Sequence, residues 1–222
     1  MAIAFDAASG IQSANTVSSL TYSFTCTGTD RLLLVNVTVR DTTTTVTGVT
    51  YGGTAMTAHS SNPQATATPG EGRRNNLFIL VNPASGANDV VISLSAATNL
   101  YSRAASYTGC KQTGQPDATG AATGNTVNTI TMTVTTVADN CWLVGHFDLR
   151  GENMSAGANT TLRGTNSEIQ FGDTNAAQTP AGSFSIKADT TSANNTGCTV
   201  LGYSIAPVAA AAAANHWLLM GV

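Results

Sequence analysis

The chain has 222 residues, only 9% of them charged, and a formal net charge of −3, whereas about a quarter of an average soluble protein is charged. Its two lysines, Lys111 and Lys187, and its scattered arginines (Arg31, Arg40, Arg73, Arg74, Arg103, Arg150, Arg163) build no basic stripe. That argues against nucleic acid as a partner, and no apolar run approaches the roughly 18 residues of a membrane span.

Threonine fills about one position in six. It is β-branched and suits a pleated, half-exposed strand, with its methyl packed sideways and its hydroxyl in water. The N-terminal MAIAFDAASG runs directly into a strand-like segment. It has no basic region, apolar run or small-residue cleavage site of a secretory signal, so either this is a mature form whose signal was removed or the protein is made and used without secretion, and Met1 favours the second. Residues 31–40 (RLLLVNVTVR) alternate, with Leu33, Val35, Val37 and Val39 in one phase and Leu32, Leu34, Asn36 and Thr38 in the other. They predict a strand buried on one face throughout and on both faces only at its start. Val46–Tyr51 and residues 54–58 flank Gly52-Gly53, a pair suited to a tight hairpin. Residues 77–81, 89–94 and 100–107 follow as strands. Residues 128–137 (NTITMTVTTV) set Ile130, Met132 and Val134 against Thr129, Thr131, Thr133 and Thr135. Residues 141–149 place Leu143, Phe147 and Leu149 opposite Trp142, Val144, His146 and Asp148, and residues 183–188 and 199–205 close the series. The polar stretches 60–76, 113–125 and 151–179 read as end loops.

About ten short strands separated by Gly, Asn, Pro and Ser predict an all-β fold, an antiparallel β-sandwich of jelly-roll type. The expected organisation is one sandwich domain over residues 1–207 and a C-terminal tail over 208–222. The tail (VAAAAAANHWLLMGV) lacks alternation, and its alanines favour helix. Trp217, Leu218, Leu219 and Met220 would form an exposed apolar cluster unless covered, so the tail is expected to dock, on its own domain or preferably on a neighbouring subunit. Cys26, Cys110, Cys141 and Cys198 show no CxxC or finger spacing and read as buried thiols rather than zinc ligands.

Several segments, taken in order, resemble a group of β-sandwich (jelly-roll-like) domains of bacteriophage virion proteins and large bacterial surface proteins. They are AFDAASG, TCTGTDRLLLVNVTVR, VTGVTYGGTAMT, LFILVNPASGANDVVISLS, ASYTGCKQTGQPDA and GCTVLGYSIAP. The resemblance spans most of residues 3–207 and its motifs are structural. It implies a role as an attachment or decoration module and carries over no catalytic residue.

Chemistry-bearing patterns are sparse. His146 shares a strand face with Asp148, an arrangement that orients an imidazole but lacks an evident nucleophile. It reads more simply as a polar pair on a half-exposed face. Asp148, Glu152 and Asp173 are calcium candidates only if their loops converge, and they lack the spacing of a calcium loop. Tyr51, Tyr101, Tyr107 and Trp142 are the candidates for a glycan-contacting platform. The sequence therefore predicts a non-enzymatic virion structural protein with no cofactor and no metal, a head decoration or fibre/adhesin subunit. Its expected partners are copies of itself or other virion proteins, with a host-surface glycan as a further candidate, and its expected location is the virion. The alternative is a carbohydrate-binding or adhesion module of a bacterial surface, working outside the cell.

Overall fold

The computed structural model describes residues 1–65, 72–124, 128–149, 153–164, 167–190 and 197–209, and among them no helix occurs. The strands are β1 (Ala4–Ala8), β2 (Gln12–Cys26), β3 (Leu32–Val39), β4 (Val46–Tyr51), β5 (Thr54–Ala55), β6 (Thr57–Ala58), β7 (Gln64–Ala65), β8 (Arg74–Val81) and β9 (Gly86–Thr108) in the first half. The second half holds β10 (Ala118–Gly124), β11 (Thr129–Thr135), β12 (Trp142–Leu149), β13 (Met154–Ala156), β14 (Thr161–Arg163), β15 (Ile169–Asp173), β16 (Ser183–Thr190) and β17 (Cys198–Ile205). All pairings are antiparallel, in three sheets: β5-β4-β9-β3-β8-β6 with β1 and β2 on the other flank of β9, then β10-β17-β12-β15-β14, then β11-β16-β13. The hairpin at Gly52-Gly53 forms as expected, both glycines taking the positive φ (53° and 78°) that side chains resist.

The first sheet folds over on itself. The N-terminal part of β9 pairs with β4 and its C-terminal part with β3, while β2 follows along the opposite flank. Folding brings Tyr22, Phe24, Val49, Tyr51, Val90 and Ile92 onto Leu33, Val35, Val37 and Val39 of β3 as one core. A second core lies between this sheet and the second one, where Leu32, Leu34, Leu77, Ile79 and Tyr107 meet Trp142, Val144, Phe171, Leu201 and Ile205. A third joins the second and third sheets through Leu143, Phe147, Leu149 and Val200 against Ile130, Met132, Val134 and Ile186. The fold is thus an antiparallel β-sandwich with β layers stacked around three cores. Each fully buried Leu or Phe contributes about 1.5–3 kcal/mol over its exposed state.

Two expectations change. Strand β3 is buried along its whole length on both faces, because Asn36 and Thr38, whose polarity predicts solvent, face the second sheet. The stretches read as end loops supply β7, β10, β13, β14 and β15, and β15 is fully buried. The outer face of β11 does show threonines to solvent. Residues 210–222, with Trp217, Leu218, Leu219 and Met220, lie outside the described residues, as does Glu152.

Candidate functional site

The seam between the first and second sheets changes character along its length. On β3 the facing residues run Leu32, Leu34, Asn36, Thr38, and on β12 they run Trp142, Val144, His146, Asp148. One end is apolar, and the other gathers Arg73, Asn75, Arg103, His146, Asp148 and Thr199, all buried. Charges withdrawn from water persist only when paired and hydrogen-bonded. Arg73 meets this need by donating from Nη1 to Asp148 Oδ1 at 2.9 Å and from Nη2 to both Glu168 oxygens at 2.9 Å. Burial pushes the Asp148 carboxyl above its ordinary value, and the Arg73 guanidinium opposes that push while its own proton is held more firmly.

Neighbouring amides extend the network across the layers. Asn36 Nδ2 donates to Asn75 Oδ1 at 2.7 Å, and Asn75 Nδ2 donates to Thr199 Oγ1 of β17 at 3.2 Å. Asp173 accepts from Arg163 Nε and Nη2, both at 2.8 Å, and from the Tyr107 hydroxyl at 2.9 Å. His59, beside β6, donates from Nε2 to the Gly202 carbonyl at 3.0 Å and accepts the Ser61 N–H at Nδ1 at 3.0 Å. This pattern assigns the neutral Nε2–H tautomer. His146 lies edge-on to Phe171, with ring centroids 5.1 Å apart, and neither ring nitrogen has a hydrogen-bond partner among the described residues. Burial lowers the pKa of both imidazoles, that of His146 well below 6.5 with the Arg103 charge adding to it.

His146 and Asp148 do share a face, but Asp148 turns to Arg73 rather than to the imidazole, so the face is a sealed layer boundary and not a half-exposed surface. Asp148 and Asp173 are held by separate arginines, and no group of three metal-ligating side chains occurs among the described residues. The four aromatic candidates are not brought together. Tyr51 donates to the Phe24 and Gly86 carbonyls inside the first core, and Tyr107 is sealed against Asp173. Trp142 is buried in the second core, and Tyr101 lies under the guanidinium groups of Arg40 and Arg73. All four cysteines are free and buried, and burial pushes Cys110 up to about 12 and Cys141 and Cys198 to about 11.

Sequence reasoning missed Arg73 and Glu168, which fall in stretches read as loops, and the inward placement of His59. The one signal available was Arg73-Arg74, two asparagines ahead of the apolar run that starts at Leu77.

A separate cavity of about 650 Å³ lies at the pole where the described chain ends, lined by Ile3, Trp142, Ala177, Pro207 and Val208 among others. The Met1 ammonium donates to the Val208 carbonyl at 3.3 Å there, so the tail departs from beside an apolar hollow. No protein-family model matches the chain, and no curated protein matches it.

Proposed function

We propose that the chain is a non-enzymatic structural subunit of a bacteriophage-like particle, a head decoration or fibre/adhesin subunit that presents its end loops and is anchored through Trp217, Leu218, Leu219 and Met220. The observation that carries this reading is where the reactive groups sit. The histidines at 59 and 146, the carboxylates of Asp148 and Asp173 and the four thiols all lie between packed layers, where they hold sheets together or fill space. The described surface is correspondingly plain, with Met1, Ile11 and Val137 its exposed large apolar side chains and threonine rows such as that of β11 facing outward. A low-charge, hydroxyl-faced wall repels neighbours weakly, which suits close packing on a particle. The segment resemblance to virion and surface β-sandwich domains supplies the particle context.

Antibodies raised against the purified chain test this reading by immunogold electron microscopy of particles from the producing culture. Gold on intact particles is the expected result, with loss of labelling when the chain is shortened to end at Ala209. Protein found only free of particles would overturn the role.

A further inference from the structure

We propose that the outer edge of β2, over residues 19–25, is a self-association surface that pairs antiparallel with the same edge of a second copy across a two-fold axis at Tyr22. The inference rests on backbone geometry and does not depend on the particle role.

The direction of each backbone group along this strand follows from its partner. Gly52 N–H donates to the Asp89 carbonyl and Ser95 N–H to the Thr45 carbonyl, both at 2.9 Å. Odd-numbered residues in this part of β9 therefore turn their groups toward β4, and even-numbered ones turn toward β2, because direction alternates along a strand. The register pairs Leu20 with Ile92, Tyr22 with Val90 and Phe24 with Asn88. The backbone groups of Leu20, Tyr22 and Phe24 are thus used on β9, and those of Ser19, Thr21, Ser23 and Thr25 point away from the sheet. Among the described residues β2 pairs only with β9, and these outward positions are exposed.

Both ends of the edge are closed. Thr16 N–H, at the bulge, donates to Asn99 Oδ1 at 2.9 Å, and Thr27 N–H donates to Asp6 Oδ2 at 2.9 Å. The last register shift of β2 falls between Val17 and Ser19, and from Ser19 to Thr25 the edge carries none of the usual protections against strand addition, which are charge, proline or a bulge. From Ala7 to Thr29 no residue is charged and none is proline. Other edges are managed: β5, β6 and β7 span two residues, β13 and β14 three, β1 carries Asp6, and β10 lies beside β11.

The sequence of this edge selects its occupant. S-L-T-Y-S-F-T reads the same by residue class in both directions about Tyr22. In a two-fold pair Ser19 opposes Thr25 and Thr21 opposes Ser23, so every outward backbone group meets another outward group and each opposed pair sets a serine beside a threonine. Leu20 opposes Phe24 on the inner face, next to the first core. Matched cross-strand pairs of these kinds are favourable, and a shared patch facing itself is the isologous geometry of a two-fold dimer.

Light scattering of the purified full-length chain over a dilution series tests the pairing, together with Thr21→Pro and Ser23→Lys. Proline at 21 removes an outward N–H and leaves the β2–β9 bonds intact, and lysine at 23 places two charges beside the two-fold axis. The wild type is expected to be a dimer, and each variant should raise the dissociation constant about tenfold or more with unchanged circular dichroism. If Thr21→Pro unfolds the chain, the lysine variant decides. The chain ending at Ala209 is expected to remain dimeric, which separates this surface from the tail. A monomeric wild type, or a dimer that both folded variants retain, would overturn the proposal.

Discussion

Replacing Arg73 with Met removes the cation that faces Asp148 in the seam and leaves a carboxylate with no exposed surface. Such a group has two outcomes, to stay ionised without its partner or to take up a proton, and the cheaper one sets the cost. Protonating a carboxyl of ordinary value 3.8 costs about 1.4 kcal/mol for each pH unit above that value. The ceiling is therefore about 4 kcal/mol at pH 7 and about 2 kcal/mol at pH 5. At pH 7 this falls within the roughly 3–5 kcal/mol typical of breaking one side of a buried pair. Glu168, whose side chain is 25% exposed, stays solvated and adds little. In the variant the folded-state pKa of Asp148 lies above its unfolded value. The protonated, folded form is then fully favourable below about pH 3.8, and stability is lost as pH rises. Urea denaturation of wild type and Arg73→Met at pH 7 and pH 5 reads both quantities, and a same-pH comparison cancels the histidine contributions. The expected loss is about 3–4 kcal/mol at pH 7, shrinking by about half or more at pH 5. The double variant Arg73→Met/Asp148→Leu should recover most of it. A loss below about 1 kcal/mol at pH 7, or one independent of pH, would refute the view that Arg73 serves to neutralise Asp148.

The two seam histidines impose the opposite pH dependence on the wild type. Their folded pKa values are lowered, so their contribution is complete above about pH 6.5 and is lost below it, by about 1.4 kcal/mol per pH unit for His146, whose value lies well below 6.5, with His59 adding in the same direction. Denaturation midpoints between pH 7 and pH 5.5 should therefore fall, and His146→Phe should make that fall clearly smaller. An unchanged slope in the variant would count against a neutral, buried His146. The four thiols should not react with a disulfide reagent at pH 8 in the native state and should all react in guanidinium chloride. Fast reaction of any native thiol would place it nearer the surface than its burial indicates.

Alternation made β3, β11, β12 and β17 legible, because one phase of each is aliphatic. It did not reveal that β3 has no solvent face. Asn36, Thr38 and Thr199 look the same in a sequence whether they meet water or a second sheet. Strand β2 escaped because its alternating partners are Ser and Thr with few large apolar residues between them, and β15 because Gly172 and Asp173 imitate a turn. The Arg73–Asp148–Glu168 contact joins residues far apart in the chain, two of them, Arg73 and Glu168, from segments with loop-like composition, and only the stacking of sheets brings them together. The aromatic candidates failed to converge for a related reason. Tyrosine suits a core when its hydroxyl finds an internal acceptor, as Tyr51 and Tyr107 both do.

The double burial of β3 bears on how the chain reaches its native state. The first sheet is complete once Thr108 has been made, and it can fold on itself during synthesis. Until β12 and β17 arrive, however, Leu32, Leu34, Leu77, Ile79 and Tyr107 form a bare apolar plateau, flanked by an arginine with no carboxylate to meet. The second half has the matching deficit, since among the described residues Trp142, Val144, Phe171 and Leu201 take their cover from the first sheet. Each half is thus the other's solvent shield, and a ribosome pausing between residues 110 and 140 would hold out a sticky intermediate. Neither half can be exchanged or expressed alone without new polar residues on that plane, so the two are bound to change together.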